Sequence, residues 1–201
     1  MKKIVLASGS PRRCELLKSI GLDFVVQPDC TQEPRLENMS PCDTVLYLSE
    51  FKGKNVLGAL NEDAVVIAAD TIVCIGGKIL GKPKNKAEAF EMLSCLSGKM
   101  HEVYTGVYIA EKNGEKSAKF YEKTQVYFKK LDICEINDYI STMEPMDKAG
   151  GYGIQEMGSL FVEKICGDYF NVVGLPLCRL GKVLKDEFGV VFFKNNMKEE
   201  F

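Results

Sequence analysis

The sequence predicts an α/β fold built on a mixed sheet. Apolar runs of strand length alternate with segments of helical periodicity, which is the order typical of α/β proteins. The run 64–69 is apolar throughout and predicts a central strand covered on both faces. The segments 103–110 and 119–131 are joined by a polar turn and predict two long antiparallel strands. This pair would form a second lobe or extend the same sheet.

The first strand is predicted at 4–7, and a turn of small residues leads from it into a helix that begins around Cys14. Glycine and proline residues mark the ends of several later elements, among them Gly98 and Pro145. The later strands are predicted at 24–26, 64–69, 72–75, 78–80, 103–110, 119–131 and near 161–162. The later helices are predicted at 41–60, 86–96, 135–143 and 177–188, and a loose tail at 195–201.

Length and composition predict a folded chain with a substantial core. The 201 residues, 46% hydrophobic and 27% charged, are enough for one large compact domain or two small lobes. A formal net charge of −2 provides no general field for holding DNA or RNA, so we expect no nucleic-acid partner. No segment approaches the ~18 apolar residues that a membrane span needs, so we expect no membrane association.

The eight cysteines are scattered and never form a CxxC pair. This usage indicates small buried hydrophobic residues in a reducing compartment rather than a disulfide framework, and it predicts a cytoplasmic protein. The single histidine, His101, and the lack of thiolates at ligand spacing argue against a zinc site.

The residues Ser8-Gly9-Ser10-Pro11-Arg12-Arg13 connect the first strand to the first helix. Backbone N–H groups of such a turn, the positive end of the helix dipole and two guanidinium groups all favour a phosphate ester. The segment therefore predicts a site for a nucleotide or another polyphosphate.

Two carboxylates are candidates for the chemistry. Asp70 directly follows the apolar run 64–69, where partial desolvation suits it to accept a proton from water or to hold a metal ion. Its alternative role is to cap a turn at the end of the strand. Glu33 lies in a proline-containing loop and is a candidate only if it joins Asp70, because two carboxylates can share a divalent cation with the substrate phosphates.

Two lysines complete the predicted phosphate site. Lys52 lies on a helix, and Lys82 lies in a turn fixed by Gly81 and Pro83. Either could be ordinary surface, but together with the basic helix entry and the two carboxylates they match what attack on a phosphate requires.

The glycine-rich loop 147–155 predicts a close approach of backbone to a ligand. Gln155 offers both a donor and an acceptor to the edge of a base. Tyr152 could stack on that base or pack within its own domain. The loop matches neither of the common phosphate-loop motifs.

These fragments, in this order and at this spacing, resemble the Maf family. The resemblance covers nearly the whole chain. It is carried by Ser8-Gly9-Ser10-Pro11-Arg12-Arg13 with Glu15-Leu16-Leu17, Ala69-Asp70-Thr71, Gly81-Lys82-Pro83, Ser97-Gly98, Asp147-Lys148-Ala149-Gly150 and Val172-Val173-Gly174-Leu175-Pro176.

The resemblance implies two lobes around a central cleft, similar to the fold of inosine triphosphate pyrophosphatases. It also implies hydrolysis of a nucleoside triphosphate to the monophosphate and pyrophosphate, with a divalent cation, Mg²⁺ or Mn²⁺, as cofactor. By this resemblance Asp70 is the proton acceptor and binds the metal with Glu33. The other catalytic positions fall on Arg13, Lys52 and Lys82.

Three positions that separate branches of the family read Arg12, Thr71 and Gln155, as in relatives that act on dTTP and UTP. An amide suits the O4 and N3–H edge of thymine or uracil, whereas a carboxylate suits guanine. The chain departs from this branch at Glu156 and Asp168, where an added negative charge near the cleft would oppose a polyphosphate.

Two other functions remain compatible with the sequence: a nucleotide-binding regulator of septum formation with little turnover, and a pyrophosphatase for purine nucleotides such as ITP and XTP. The expected partners are small nucleoside triphosphates. A homodimer is also compatible with the resemblance.

Overall fold

The computed structural model describes residues 2–34, 36, 39–114 and 116–192. The strands are β1 (Lys3–Leu6), β2 (Val25–Val26), β3 (Ala64–Ile75), β4 (Lys78–Leu80), β5 (Met100–Glu111), β6 (Ser117–Phe128) and β7 (Val162–Cys166). The helices are α1 (Pro11–Ser19), α2 (Pro41–Ala59), α3 (Lys86–Leu96), α4 (Ile133–Ser141), α5 (Tyr169–Val173) and α6 (Leu177–Phe188).

These strands form one mixed sheet in the order β2-β1-β3-β5-β6-β7, with β4 paired to β3. The strand β1 is parallel to both of its neighbours, and the other pairings are antiparallel. The predicted α/β class with a mixed sheet is therefore confirmed. The two long antiparallel strands, β5 and β6, extend the sheet rather than standing apart from it.

The strand β3 connects three apolar clusters. Val65 and Ile67 face the cluster formed with α1 and α6, whereas Val66 and Ala68 face the cluster under α2, because successive side chains of a strand point to opposite faces. Further along, Val73 belongs to a third cluster with α3 and α4. The middle of β3 thus lies between these three apolar clusters.

The prediction that the central strand ends at Asp70 was wrong. The strand β3 continues through Asp70 and Thr71 to Ile75, and both residues pair with β5. The cause is non-local: the partners of Asp70 and Thr71 in β5 are Gly106 and Thr105, so the ladder passes the polar pair without interruption. Asp70 consequently does not cap a turn.

Most other elements lie where the sequence predicts them. The helices α3 and α6 match the predicted bounds, while α4 begins and ends two residues earlier than predicted. The strand β6 ends at Phe128, and the short helix α5 was not predicted. The tail predicted at 195–201 lies outside the described residues.

The state of the cysteines and the length and polarity of the helices can be compared with the predictions from the sequence. All eight cysteines are free thiols. The prediction that they are buried was wrong for most of them, because only Cys74 is buried, three others are partly buried and four are exposed. Among the helices that the structure describes, none combines the length and apolar character needed to cross a membrane.

Candidate functional site

A cleft of about 1100 Å³ opens beside the middle of β3. The strand β1 pairs with β3 only as far as Ile67, and β4 pairs with β3 only from Val73 onward, so residues 68–72 of β3 have no sheet neighbour on that side. The chain leaves β1 at this point and turns into α1, as expected where ligands collect at the carboxyl ends of strands. All of the predicted site residues line this cleft: Ser8, Ser10, Arg12, Arg13, Glu33, Lys52, Asp70, Thr71, Lys82 and Gln155.

Lys52 joins the two candidate carboxylates. Its Nζ lies 2.5 Å from Asp70 Oδ1 and 2.8 Å from Glu33 Oε1. Burial by itself would lower the pKa of Lys52, but the charges and hydrogen bonds of Asp70 and Glu33 outweigh it, so that pKa is raised. Lys52 is therefore a permanent cation at neutral pH and cannot act as a base.

Gly53 explains how α2 brings Lys52 so close to β3. A Cβ at Gly53 would lie 2.4 Å from the ring of Tyr108 and 3.2 Å from Ala68. Any larger residue would push the helix away from the sheet and carry Lys52 away from Asp70.

Arg13 is buried at the base of the cleft, and its guanidinium group makes hydrogen bonds within the protein. Its Nε donates to Gly174 O at 2.8 Å, and its Nη1 donates to Ala69 O at 2.8 Å and to Ser8 Oγ at 3.0 Å. Its Nη2 donates to Thr71 Oγ1 at 2.9 Å. Four of its five N–H donors are thus occupied. Burial lowers the pKa of Arg13, and the charge of Asp70 opposes that shift.

The turn before α1 leaves the helix N-terminus without a capping side chain. Ser8 Oγ accepts from the backbone N–H of Ser10 at 3.3 Å in addition to Arg13. Ser10 occupies the N-cap of α1, but its side chain makes no capping bond, and the first turn carries no acidic residue. The first N–H groups of α1 therefore have no acidic side chain of their own turn to neutralise them.

The Thr71 hydroxyl belongs to a hydrogen-bond chain beneath the cleft. It accepts from Arg13 and lies 2.9 Å from Thr105 Oγ1. Since Thr105 donates to Asn171 O at 2.9 Å, the proton between the two threonines comes from Thr71. This chain ties Thr71 of β3 to Asn171 of α5.

Lys82 and Gln155 also line the cleft, and both are exposed. Their two loops are tied together, because Gly150 N donates to Gly81 O at 2.9 Å. Gly150 has a φ of +69°, and a Cβ there would lie 2.9 Å from Val73, so only glycine fits this junction.

An alternating row of charges crosses the cleft. Arg12 Nη1 lies 3.2 Å from Asp147 Oδ2, and the other oxygen of Asp147 lies 2.9 Å from Lys148 Nζ. Lys148 is buried and also contacts Glu156 Oε2 at 3.2 Å and Glu144 O at 2.9 Å. Partial burial would raise the pKa of Asp147, but Lys148 and Arg12 outweigh it and lower that pKa. The extra carboxylate of Glu156 is thus paired with Lys148.

Asp168, the second departure, does not line the cleft. Its carboxylate accepts from the backbone N–H of Phe170 at 2.8 Å and caps α5. We therefore expect no direct effect of its charge on a ligand in the cleft.

A buried pair of side chains, His101 and Tyr152, lies behind the glycine-rich loop and was not predicted from the sequence. Tyr152 packs within its own domain, and its Oη lies 2.7 Å from Nε2 of His101. Phe128 contacts both rings edge-on. His101 is 1% exposed, and burial lowers its pKa to about 4. A lone histidine in an alternating strand carries no local signal of this pairing.

We expect His101 to make the fold sensitive to acid. The unfolded chain takes up a proton below about pH 6.5, whereas folded His101 stays neutral until about pH 4, so its contribution is complete above pH 6.5 and is lost as the pH falls to 4. The loss is about 3 kcal/mol in the free energy of unfolding. Urea unfolding measured across this range checks it. His101→Gln, which cannot titrate, should flatten the curve, and parallel curves for the two proteins would contradict the assignment.

The chemistry of the donor set fits a hard divalent cation. Asp70 and Glu33 present carboxylate oxygens to one point, where Lys52 now bridges them. Within the described ranges no group of three or more Asp, Glu, His or Cys side chains could hold a metal ion by itself. Magnesium binds through one or two carboxylates when water and substrate phosphates supply the other oxygens, so the two carboxylates suffice only together with a phosphorylated ligand.

Comparisons with known proteins agree with the fold and cover almost the whole chain. A HAM1 protein from Coxiella burnetii superposes with a TM-score of 0.51 over 92% of this chain and 99% of that chain, at 15% identity. A relative from Bacillus pumilus is 51% identical over 193 residues, covering 96% of this chain and all of the relative. A relative from a Thermoanaerobacter species is 52% identical over 188 residues, covering 94% and 98%. Both relatives are named dTTP/UTP pyrophosphatase.

The mixed sheet and the charged cleft beside β3 define an α/β protein with the HAM1-like fold. Within that class the sequence is specific, because the profile described as Maf-like protein matches residues 3–187. The chain belongs to the Maf family.

Proposed function

We propose that this protein is a nucleoside triphosphate pyrophosphatase that hydrolyses dTTP and UTP to the monophosphate and pyrophosphate. The observation that carries the proposal is the ion pairing of Lys52 with both Asp70 and Glu33 in a cleft that is also lined by the basic N-terminus of α1. The names of the relatives that are about half identical over nearly their full length support the same reaction and the same two substrates. Free thiols throughout the chain support a cytoplasmic location.

The charge balance of the cleft supports a requirement for a divalent cation. The described lining residues include five basic side chains, Arg12, Arg13, Lys52, Lys82 and Lys148, and four acidic ones, Asp29, Glu33, Asp70 and Asp147. This small positive excess does not neutralise a triphosphate. A bound Mg²⁺ or Mn²⁺ would supply the missing charge and make a water molecule more acidic.

Each residue of the site would have a separate role in the reaction. The first turn of α1 and Ser10 bind phosphate oxygens, and Lys82 neutralises negative charge on the phosphates. Lys52 pairs with the carboxylates of Asp70 and Glu33 and offsets their mutual repulsion until the substrate arrives. Asp70 then accepts a proton from the water that attacks the α phosphorus, and pyrophosphate leaves.

Product analysis tests the reaction. We expect dTTP to give dTMP and pyrophosphate in the presence of Mg²⁺ or Mn²⁺. Release of dTDP and phosphate would indicate a different phosphatase, and binding without product would favour a regulator of cell division. A preference for ITP or XTP over dTTP would favour purine housecleaning.

Gln155 tests the base preference. We expect Gln155→Glu to lower kcat/KM for dTTP and UTP by about 10- to 100-fold, because a carboxylate cannot donate to O4 of the base and leaves that acceptor unpaired. Steady-state kinetics with dTTP, UTP and GTP measures the change. The neighbouring variant Glu156→Gln is the control and should stay within about threefold of wild type, since Lys148 keeps its bonds to Asp147 and Glu144 O. An unchanged dTTP preference in Gln155→Glu would contradict the assignment.

A further inference from the structure

The loop that carries Glu33 needs more than Glu33 to hold it. Residues 27–34 form no helix or strand, and the Glu33 side chain is 52% exposed. Its described ion pair is the one with Lys52, and ion pairs at such exposed positions contribute little by themselves. The position of Glu33 over Asp70 therefore depends on what fixes the loop before it.

Asn55 makes that second attachment. It lies three residues after Lys52 on α2, so the two side chains emerge on neighbouring positions of one helix face. Asn55 Nδ2 donates to Thr31 Oγ1 at 2.7 Å and to Asp29 Oδ2 at 3.2 Å. One face of α2 thus holds the loop at residues 29, 31 and 33.

Thr31 links Asn55 to Asp29 through its own hydrogen bonds. Its hydroxyl accepts from Asn55 and donates to the Asp29 carboxylate at 2.9 Å, while its backbone N–H donates to Asp29 Oδ1 at 3.1 Å. The Asp29 carboxylate lines the cleft, but the bonds from Thr31 and Asn55 occupy it. Asp29 consequently fixes the shape of the loop through these hydrogen bonds.

We propose that Asn55 is a positioning residue that acts through the 29–31 turn to hold Glu33 beside Asp70. The inference rests on the proposed function, because it gives Glu33 a part in binding the divalent cation. Ordering the loop before the substrate arrives removes its conformational entropy from the cost of binding. Without Asn55 the loop is free at residues 29 and 31, and Glu33 reaches its position only part of the time.

We expect Asn55→Ala to raise the Mg²⁺ concentration for half-maximal dTTP hydrolysis by about tenfold, the effect usual for the loss of a group that orients a metal ligand. At saturating Mg²⁺, kcat should recover most of the wild-type value. A merely structural role would instead lower the free energy of unfolding and the amount of active enzyme without changing the Mg²⁺ dependence.

Two variants of Thr31 and one of α2 sharpen the test. Thr31→Val removes the hydroxyl at nearly constant volume and should behave like Asn55→Ala, whereas Thr31→Ser keeps the hydroxyl and should restore the wild-type Mg²⁺ dependence. Lys54→Ala is the matched control, because Lys54 lies on the exposed side of the same helix turn and pairs with Glu50.

A double-mutant cycle identifies Glu33 as the residue through which Asn55 acts. We expect Asn55→Ala to have little further effect on the Mg²⁺ dependence when Glu33→Gln is already present. Fully additive effects of the two changes would overturn the proposal.

Hydrogen exchange tests the loop without any turnover. The Thr31 amide should exchange at least about tenfold faster in Asn55→Ala than in wild type, while amides of α3 keep their rates. An unchanged Thr31 rate would also overturn the proposal. If the wild-type protein hydrolysed no triphosphate, the proposed function would fail and so would the role of Glu33, yet faster Thr31 exchange would still assign the loop attachment to Asn55.

Discussion

We expect Asp70→Asn to lower the turnover of dTTP by at least ~10²-fold without disturbing the fold. Asparagine has the shape of aspartate and can still accept a hydrogen bond from Lys52 through its amide oxygen, so the ladder between β3 and β5 stays intact. It cannot take a proton from water at neutral pH, and it is a weaker ligand for a divalent cation. Pyrophosphate release from dTTP measures the change, and thermal unfolding checks the fold.

Glu50→Gln is the matched control for Asp70→Asn. Glu50 is also a partly buried carboxylate paired with lysines, at 2.6 Å from Lys54 and 2.9 Å from Lys119, but it does not line the cleft. Its loss should leave turnover within about twofold of wild type. Near-normal turnover in Asp70→Asn, or an equal loss in both variants, would remove Asp70 from the chemistry.

The position of Asp70 shows what the sequence could and could not predict. The apolar run before Asp70 predicts a covered strand, and the polar pair after it indicates a change of environment. The pattern cannot say whether the strand stops there or loses a neighbour. That difference depends on the register with β5 and on the end of β1 at Leu6, neither of which is a local property of the chain.

The hydrogen-bond partners of the site residues were harder to predict than the site residues themselves. The motif around Arg13 predicts a phosphate site, but the acceptors of Arg13 lie at Ala69 and Gly174, far away in the sequence. Asn55 gave no signal at all, because an amide on a helix surface is common and its partners in the 29–31 turn have no periodic pattern. Short motifs thus predict which residues meet, whereas the bonds that orient them come from long-range packing.

Arg13→Lys is expected to have the second large effect, on stability as well as on activity. Lysine keeps the charge but loses the planar arrangement of donors, so it cannot reach Gly174 O, Ala69 O and Thr71 Oγ1 together. Leaving one or two buried acceptors unpaired costs about 2–4 kcal/mol in the free energy of unfolding. We also expect kcat/KM for dTTP to fall by at least ~10²-fold, because Arg13 joins the phosphate-binding turn to the strand that carries Asp70.

The sign of the stability change separates two roles of Arg13. If Arg13 served only to bind the substrate, it would add nothing to the stability of the free protein. Its replacement would then leave the free energy of unfolding unchanged or raise it. If the Arg13 guanidinium instead links Ser8, β3 and Gly174 through hydrogen bonds, its replacement must lower the free energy of unfolding. Urea unfolding of Arg13→Lys beside Arg12→Lys makes the comparison, because Arg12 bonds only to Asp147 among the described residues and its change should stay within about 0.5 kcal/mol. Equal stabilities for the two variants would make Arg13 a substrate ligand alone.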